Sequence, residues 1–210
     1  MNMRAKASST TDGVDPYRDL RMDMSTHSLQ VIDYAHHEIH AGSSFHAEYS
    51  VTTANTDDHR TGILFKTPAT TKYAHMVITV SATGAAEAII NEAPTLGAPT
   101  AGSDTAIYNR NRNSTKTSTL QSLEGTPTVG SLTKAIETEM GNLTISAGTE
   151  LEHLFLAAGT GPKPLGGVSR GQQEWILKAN TIYLIYLINT GASANTHYVG
   201  VDWYEHTDKT

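Results

Sequence analysis

Apolar and polar positions alternate most regularly near the C-terminal end of the chain. Over residues 197–205, Val199, Val201 and Trp203 fall on one face of an extended segment, and Tyr198, Asp202 and Tyr204 on the other. Residues 181–188 are instead an unbroken apolar run rich in Ile and Tyr. With no Gly or Pro inside, this run predicts a strand covered on both faces and central in its sheet. Residues 174–178 form a shorter strand before it, across Ala179-Asn180, a pair suited to a tight turn. A Gly/Ala/Ser/Asn loop, residues 189–196, leads to the alternating strand. The three segments predict an antiparallel meander, with residues 181–188 innermost and Trp203 packed against them.

Upstream, residues 31–40 and 45–53 predict two strands around the hairpin loop Ala41-Gly42-Ser43-Ser44. Short strands follow at 62–66, 73–80 and 151–158. Residues 85–91 suit either a strand or a helical turn. Residues 93–104 hold two Pro and two Gly and read as a loop. Residues 105–112 and 115–123 flank a polar segment. In residues 131–140, Leu132, Ile136 and Met140 recur at helical spacing, which fits a short helix or an insertion packed over one end of a β fold. Many short strands with long polar loops and no internal repeat predict an all-β chain, an antiparallel β-sandwich or jelly roll over residues 31–210. Residues 1–30 lack sustained periodicity and read as an extended N-terminal arm or a plain tail.

Composition narrows the class. At 210 residues the chain can bury a sizeable core, and its 38% apolar content with abundant Gly, Thr, Ser and Asn suits a loop-rich β domain. The net charge of −6 disfavours nonspecific nucleic-acid binding. With no cysteine there are no disulfides and no thiolate metal sites, in keeping with assembly in a reducing cytoplasm. No apolar run is long enough for a membrane helix, and the N-terminus lacks the apolar core of a signal peptide.

The candidate chemistry is thin. His36, His37, Glu38, His40, His46 and Glu48 crowd into the expected hairpin, with His75 on a neighbouring strand. On a strand, His36, Glu38 and His40 share one face, enough nitrogen and oxygen donors for Zn, Mn or Fe. The spacing departs from the ligand order of cupin metal sites, so surface or interface histidines are the simpler reading, and no metal or cofactor is expected. Asp57-Asp58-His59, Asp202 and Glu205 supply carboxylates without a focused pair. Gly167-Val168-Ser169-Arg170-Gly171 spells a nucleophile elbow but precedes a strand instead of following one. No enzyme activity is expected. The basic, amide-rich segment Tyr108, Asn109, Arg110, Asn111, Arg112, Asn113 suits loop bracing or a subunit contact better than phosphate binding.

Several runs together carry a resemblance: Tyr108 to Leu120 (YNRNRNSTKTSTL), Ser169 to Asn189 (SRGQQEWILKANTIYLIYLIN), Asp202 to Lys209 (DWYEHTDK), and His36 to Phe45 followed by FKTP and KYAH. In this order they resemble a family of tailed-bacteriophage virion structural proteins, over about residues 31–209. The resemblance implies a capsid decoration (cement) protein, made in the host bacterial cytoplasm and docked on the virion head surface. Its expected partners are the major capsid protein and further copies of itself, a homo-oligomer such as a trimer, with neither nucleic acid nor membrane. Tyr108, Asn109, Arg110, Asn111, Arg112, Asn113, His36 and His40 are the candidate interface residues. A tail or head–tail-junction module that binds a carbohydrate receptor is the alternative, with Tyr73, Tyr108, Trp175, Trp203 and Tyr204 as stacking candidates.

Overall fold

The computed structural model describes residues 4–6, 17–19, 34–55, 60–96, 103–123, 129–136, 145–159, 161–165 and 173–207. Residues 1–37 and 38–210 are two compact units. In the first, β1 (Arg4–Lys6) pairs antiparallel with β2 (Tyr17–Asp19). The rest of the arm expected over residues 1–30 lies outside the described residues.

After α1 (Tyr34–His40), the second unit is an antiparallel all-β sandwich. Its strands are β3 (Ser44–Asn55), β4 (Arg60–Lys66), β5 (Lys72–Ala82), β6 (Ala86–Glu92), β7 (Thr95–Leu96), β8 (Ser103–Ala106), β9 (Tyr108–Asn109), β10 (Ser131–Ile136), β11 (Ile145–Ser146), β12 (Thr149–Leu156), β13 (Lys163–Leu165), β14 (Trp175–Ile176), β15 (Ile182–Asn189) and β16 (Asn195–Thr207). One six-stranded sheet runs β12-β6-β15-β4-β10-β8. The other runs β13-β5-β16-β3-β9, with β14 also paired to β5. A small β7–β11 ladder stands apart.

The core lies between the two sheets. Phe45, Met76, Ile78, Val199, Val201 and Trp203 from one inner face meet Ile63, Phe65, Ile90, Tyr183, Ile185 and Leu187 from the other, all buried. Phe45 and Trp203 pack ring against ring at 5.8 Å, as do Phe65 and Tyr183. The expected inward phase of Val199, Val201 and Trp203 holds, with each side chain fully buried. β15 is central between β6 and β4, and its other face is covered too: Leu184 and Tyr186 cluster with Leu64 and Ile89, against Leu96, Leu123 and Ile145. An unbroken apolar run is the sequence such a doubly covered strand requires.

One end of this sheet is tied by polar groups. Tyr183 Oη donates to Glu92 Oε2 at 2.8 Å, and Lys178 Nζ lies 2.5 Å from Glu92 Oε1. The Lys178 N–H in turn donates to Tyr183 Oη at 2.9 Å. Burial by itself pushes the Glu92 carboxyl up, but the hydrogen bonds from Lys178 and Tyr183 and the ammonium charge together hold it below the usual range. Burial drives the Tyr183 hydroxyl strongly upward.

Three expectations are corrected. Residues 174–207 do not form a meander: β14 and β16 belong to one sheet and β15 to the other, so the chain changes sheet at each connection. Alternation reports which face of a strand is buried, not which sheet the strand joins. Residues 34–40 of the expected first strand are helical. Gly42, at φ +71°, ends that helix: its N–H donates to the Ile39 carbonyl at 3.0 Å and the Ser43 N–H to the Glu38 carbonyl at 2.9 Å. That is a Schellman stop, and a Gly at a helix end looks in sequence like a Gly in a hairpin. The helical alternative for residues 131–140 gives way to β10, paired with β4 and β8; residues 137–140 lie outside the described set. Residues 115–123, on the far side of the polar segment, join the sheet only through isolated bridges at Gln121. Away from Gln121, the N–H groups of Lys116, Thr119 and Leu120 donate to side chains instead of to a neighbouring strand.

Candidate functional site

The segment from Tyr108 to Lys116 is folded by its own asparagines. β9 attaches it to the edge of β3, with Asn109 opposite Phe45 and Tyr108 opposite His46. Asn109, itself buried, donates from Nδ2 to the carbonyls of Gly42 (2.8 Å) and Lys116 (3.0 Å) and accepts the Asn111 N–H at 2.9 Å. Asn111 repeats the move one step on. Its Oδ1 accepts the Asn113 N–H at 3.1 Å, and its Nδ2 donates to the His40 carbonyl at 3.1 Å. Asn at every second position thus makes two successive side-chain turns. The residues between them, Arg110 and Arg112, are left exposed. Lys116 Nζ closes the loop onto the Ala41 carbonyl at 2.8 Å. Gly42 permits this approach, because a Cβ there would collide with the Ser114 side chain.

On the outside of this loop the Arg112 guanidinium sits over the Tyr108 ring, 5.6 Å from its centre, and Tyr108 is half exposed. Arg110 Nε lies 3.9 Å from Asp202 Oδ1, which also faces His46 Nδ1 at 3.2 Å. His46 Nε2 stands 3.6 Å from Glu48. The Tyr198 hydroxyl donates to Glu48 at 3.2 Å, and the Tyr198 ring lies across Gly200, where a Cβ would meet it.

Under the loop, the carboxylate of Glu205 is buried and accepts from four groups. These are Ser118 Oγ at 2.6 Å, the Thr119 N–H at 3.0 Å, Thr119 Oγ1 at 2.7 Å and Trp203 Nε1 at 3.0 Å. A cavity of about 290 Å³ opens beside it, flanked by Lys72 and Lys116. Beside β16, His75 of β5, cross-strand from Tyr204, has its Nδ1 2.9 Å from Glu174 Oε1, to which Tyr204 Oη also donates at 2.7 Å. The His75, Tyr204 and His206 rings stack, with His75 centred 4.7 Å from Tyr204 and 4.5 Å from His206. The Nε2 of buried His75 has no hydrogen-bond partner.

The residues singled out in the sequence separate into groups. Tyr108, Asn109, Arg110, Asn111, Arg112 and Asn113 form one continuous loop, and His40 joins it through its carbonyl. His36 belongs to the first compact unit, so the expected face of His36, Glu38 and His40 on one strand is replaced by positions on a helix. Asp57-Asp58-His59 and the segment around Ser169 lie outside the described residues. Among the described residues no group of three or more His, Cys, Asp or Glu is placed to hold a metal ion. Trp203 is fully buried and Tyr204 nearly so, which removes both from any stacking platform.

Glu205 stands out in the sequence only as one carboxylate among several, though its phase carries a further signal. It continues the inward phase of Val199, Val201 and Trp203, so it had to be a buried carboxylate in need of donors. Chemically, the carboxylates of this region serve the fold. Glu205 holds the 118–119 backbone, Asp202 faces His46 and Arg110, and Glu174 faces His75 and Tyr204. The arrangement braces a loop that carries Tyr108 and Arg112 outward. No family model matches the chain, and neither does any curated protein or solved structure.

Proposed function

We propose that this chain is a structural subunit of a tailed-phage particle, a capsid decoration protein that bridges and stabilises major capsid proteins on the head surface. The observation that carries the reading is the braced loop from Tyr108 to Lys116. Its asparagine amides, Asn109 buried among them, and the carboxylate beneath it are spent on rigidity, while an aromatic–arginine pair is presented to solvent. Pre-organised Tyr and Arg are the residue types that dominate protein interfaces. The resemblance of the residue runs quoted above points the same way.

Strand order supports a jelly roll as the subunit fold. With the pieces β7 to β11 set aside as an insertion, the eight remaining positions in chain order are β3, β4, β5, β6, β12, β13/β14, β15 and β16. They fall as β3-β16-β5-β13/β14 in one sheet and β4-β15-β6-β12 in the other, the pairing of first with eighth and second with seventh strands that two Greek keys produce. The partners in this reading are the major capsid protein and other copies of the chain in a homo-oligomer, with the arm of residues 1–30 laid across a neighbour.

Many copies, each with a modest contact, convert small areas into a large gain in particle stability. Purified chain added to particles that lack it is expected to rebind to heads and to raise their resistance to heat. A version without residues 1–30 is expected to keep its far-ultraviolet spectrum and bind more weakly. Binding of wild-type chain to tails alone sinks the decoration reading in favour of a tail module. Equal head occupancy with and without the arm sinks the role given to the arm.

A further inference from the structure

Strand β12 is an edge of its sheet, paired only with β6 among the described strands. On its outward phase stands Phe155, 71% exposed, the most exposed of the large apolar side chains described. A single surface Phe needs no explanation by itself. This one is supported. Its ring stacks on His153 with centres 4.7 Å apart and planes 18° from parallel. His153 is in turn flanked by a carboxylate at each nitrogen: Nδ1 lies 3.2 Å from Glu150 Oε1, and Nε2 lies 3.2 Å from Glu87 Oε2. Two carboxylates therefore flank the imidazole, whose single N–H in the neutral ring donates to one of them, and the imidazole stacks on the Phe ring. Glu87 is also the cross-strand neighbour of Phe155, so the ring stands within an acidic surround.

From this juxtaposition we infer that Phe155 is a docking knob for a folded protein whose surface offers an apolar socket rimmed by Lys and Arg. The inference rests on the decoration reading to the extent that the particle's shell protein is the expected owner of the socket. A rigid aromatic anchor loses little conformational entropy on binding, and burial of its face is fully gained in the complex. The charges choose the partner. Glu87 beside the ring and Glu150 behind His153 match a basic rim and oppose a second copy of this acidic edge. The β-bulge between Glu150 and Glu152 interrupts the edge ladder, which selects insertion of a side chain over addition of a strand.

The test places the photo-crosslinking residue benzoylphenylalanine at position 155 of the full chain, in cells producing the particle, with Phe155→Ala as a binding control. Irradiation should give one dominant adduct with the shell protein, mapped to a peptide in which apolar residues neighbour Lys or Arg. Phe155→Ala should bind stripped particles about tenfold more weakly or worse, with an unchanged melting temperature. Raising the salt concentration should weaken wild-type binding more than that of a Glu87→Gln/Glu150→Gln variant. A dominant adduct at such a socket on a protein outside the particle, with Phe155→Ala weakening binding to that protein, upholds the knob and overturns the decoration reading. No discrete adduct, an adduct with a second copy of this chain, or undiminished binding by Phe155→Ala to the crosslinked protein overturns the knob.

Discussion

Glu205→Leu is expected to cost about 4 kcal/mol of folding free energy, the largest loss among single polar substitutions in the sandwich. The carboxylate is buried on the inner phase of β16, and four donors converge on it from Ser118, Thr119 and Trp203. Leucine fills much of the same space but leaves the Trp203 indole N–H, the Thr119 amide and two hydroxyls without an acceptor. Each buried orphan costs about 1–3 kcal/mol, and the hydroxyls recover part of this by rotating toward other acceptors. Glu205→Gln keeps one acceptor oxygen and should lose about half as much. Urea unfolding of the three proteins, followed by tryptophan fluorescence, measures the difference. A loss below about 1 kcal/mol for Glu205→Leu would show that the 115–120 segment does not depend on this carboxylate.

The second large effect depends on pH. His197 is fully buried on β16, with Nδ1 3.2 Å from the hydroxyl of Thr61 on the opposite sheet. Burial alone pushes its pKa down to about 4 from an ordinary 6.5. The folded state therefore holds the neutral ring, while the unfolded chain takes up a proton below 6.5. Stability from this site is fully present above pH 6.5 and is lost progressively as pH falls toward 4, by about 3 kcal/mol over the whole window. His197→Gln is expected to be less stable than wild type at pH 7.5 but to lose less on acidification. Subtracting the two pH profiles removes the carboxylates common to both. Parallel profiles between pH 6.5 and 4 would contradict a buried neutral imidazole.

Periodicity made the faces of the strands legible, but not their partners. The apolar run of β15 could belong only to a doubly covered central strand, and the phase of Val199, Val201 and Trp203 could point only inward. Nothing in either pattern states that β15 and β16 lie in opposite sheets. That choice is made by long-range contacts, such as Ile185 between Ile63 and Ile90, which a window of ten residues does not contain. The helix at 34–40 was missed because seven residues allow little more than one period of any pattern, and Gly42 punctuates both alternatives.

At the site, the composition Asn-Arg-Asn-Arg-Asn was conspicuous, and its bracing role follows from the repeat of two. Which carbonyls the amides reach, Gly42, Lys116 and His40, depends on the helix-to-strand corner that brings residues 40–44 beside the loop. Phe155 was hidden by its neighbours. Among Leu151, Leu154 and Leu156 it reads as one more apolar strand residue, and only its outward phase and the His153 stack set it apart.

The central claim is that a rigid jelly-roll subunit coats a phage head. Quantitative mass spectrometry of purified particles, calibrated against the major capsid protein, tests it most directly. The account predicts a copy number that is a simple fraction or multiple of the major capsid protein, retained in tailless heads. A handful of copies per particle that leaves with the tail, or absence from purified particles, would contradict it.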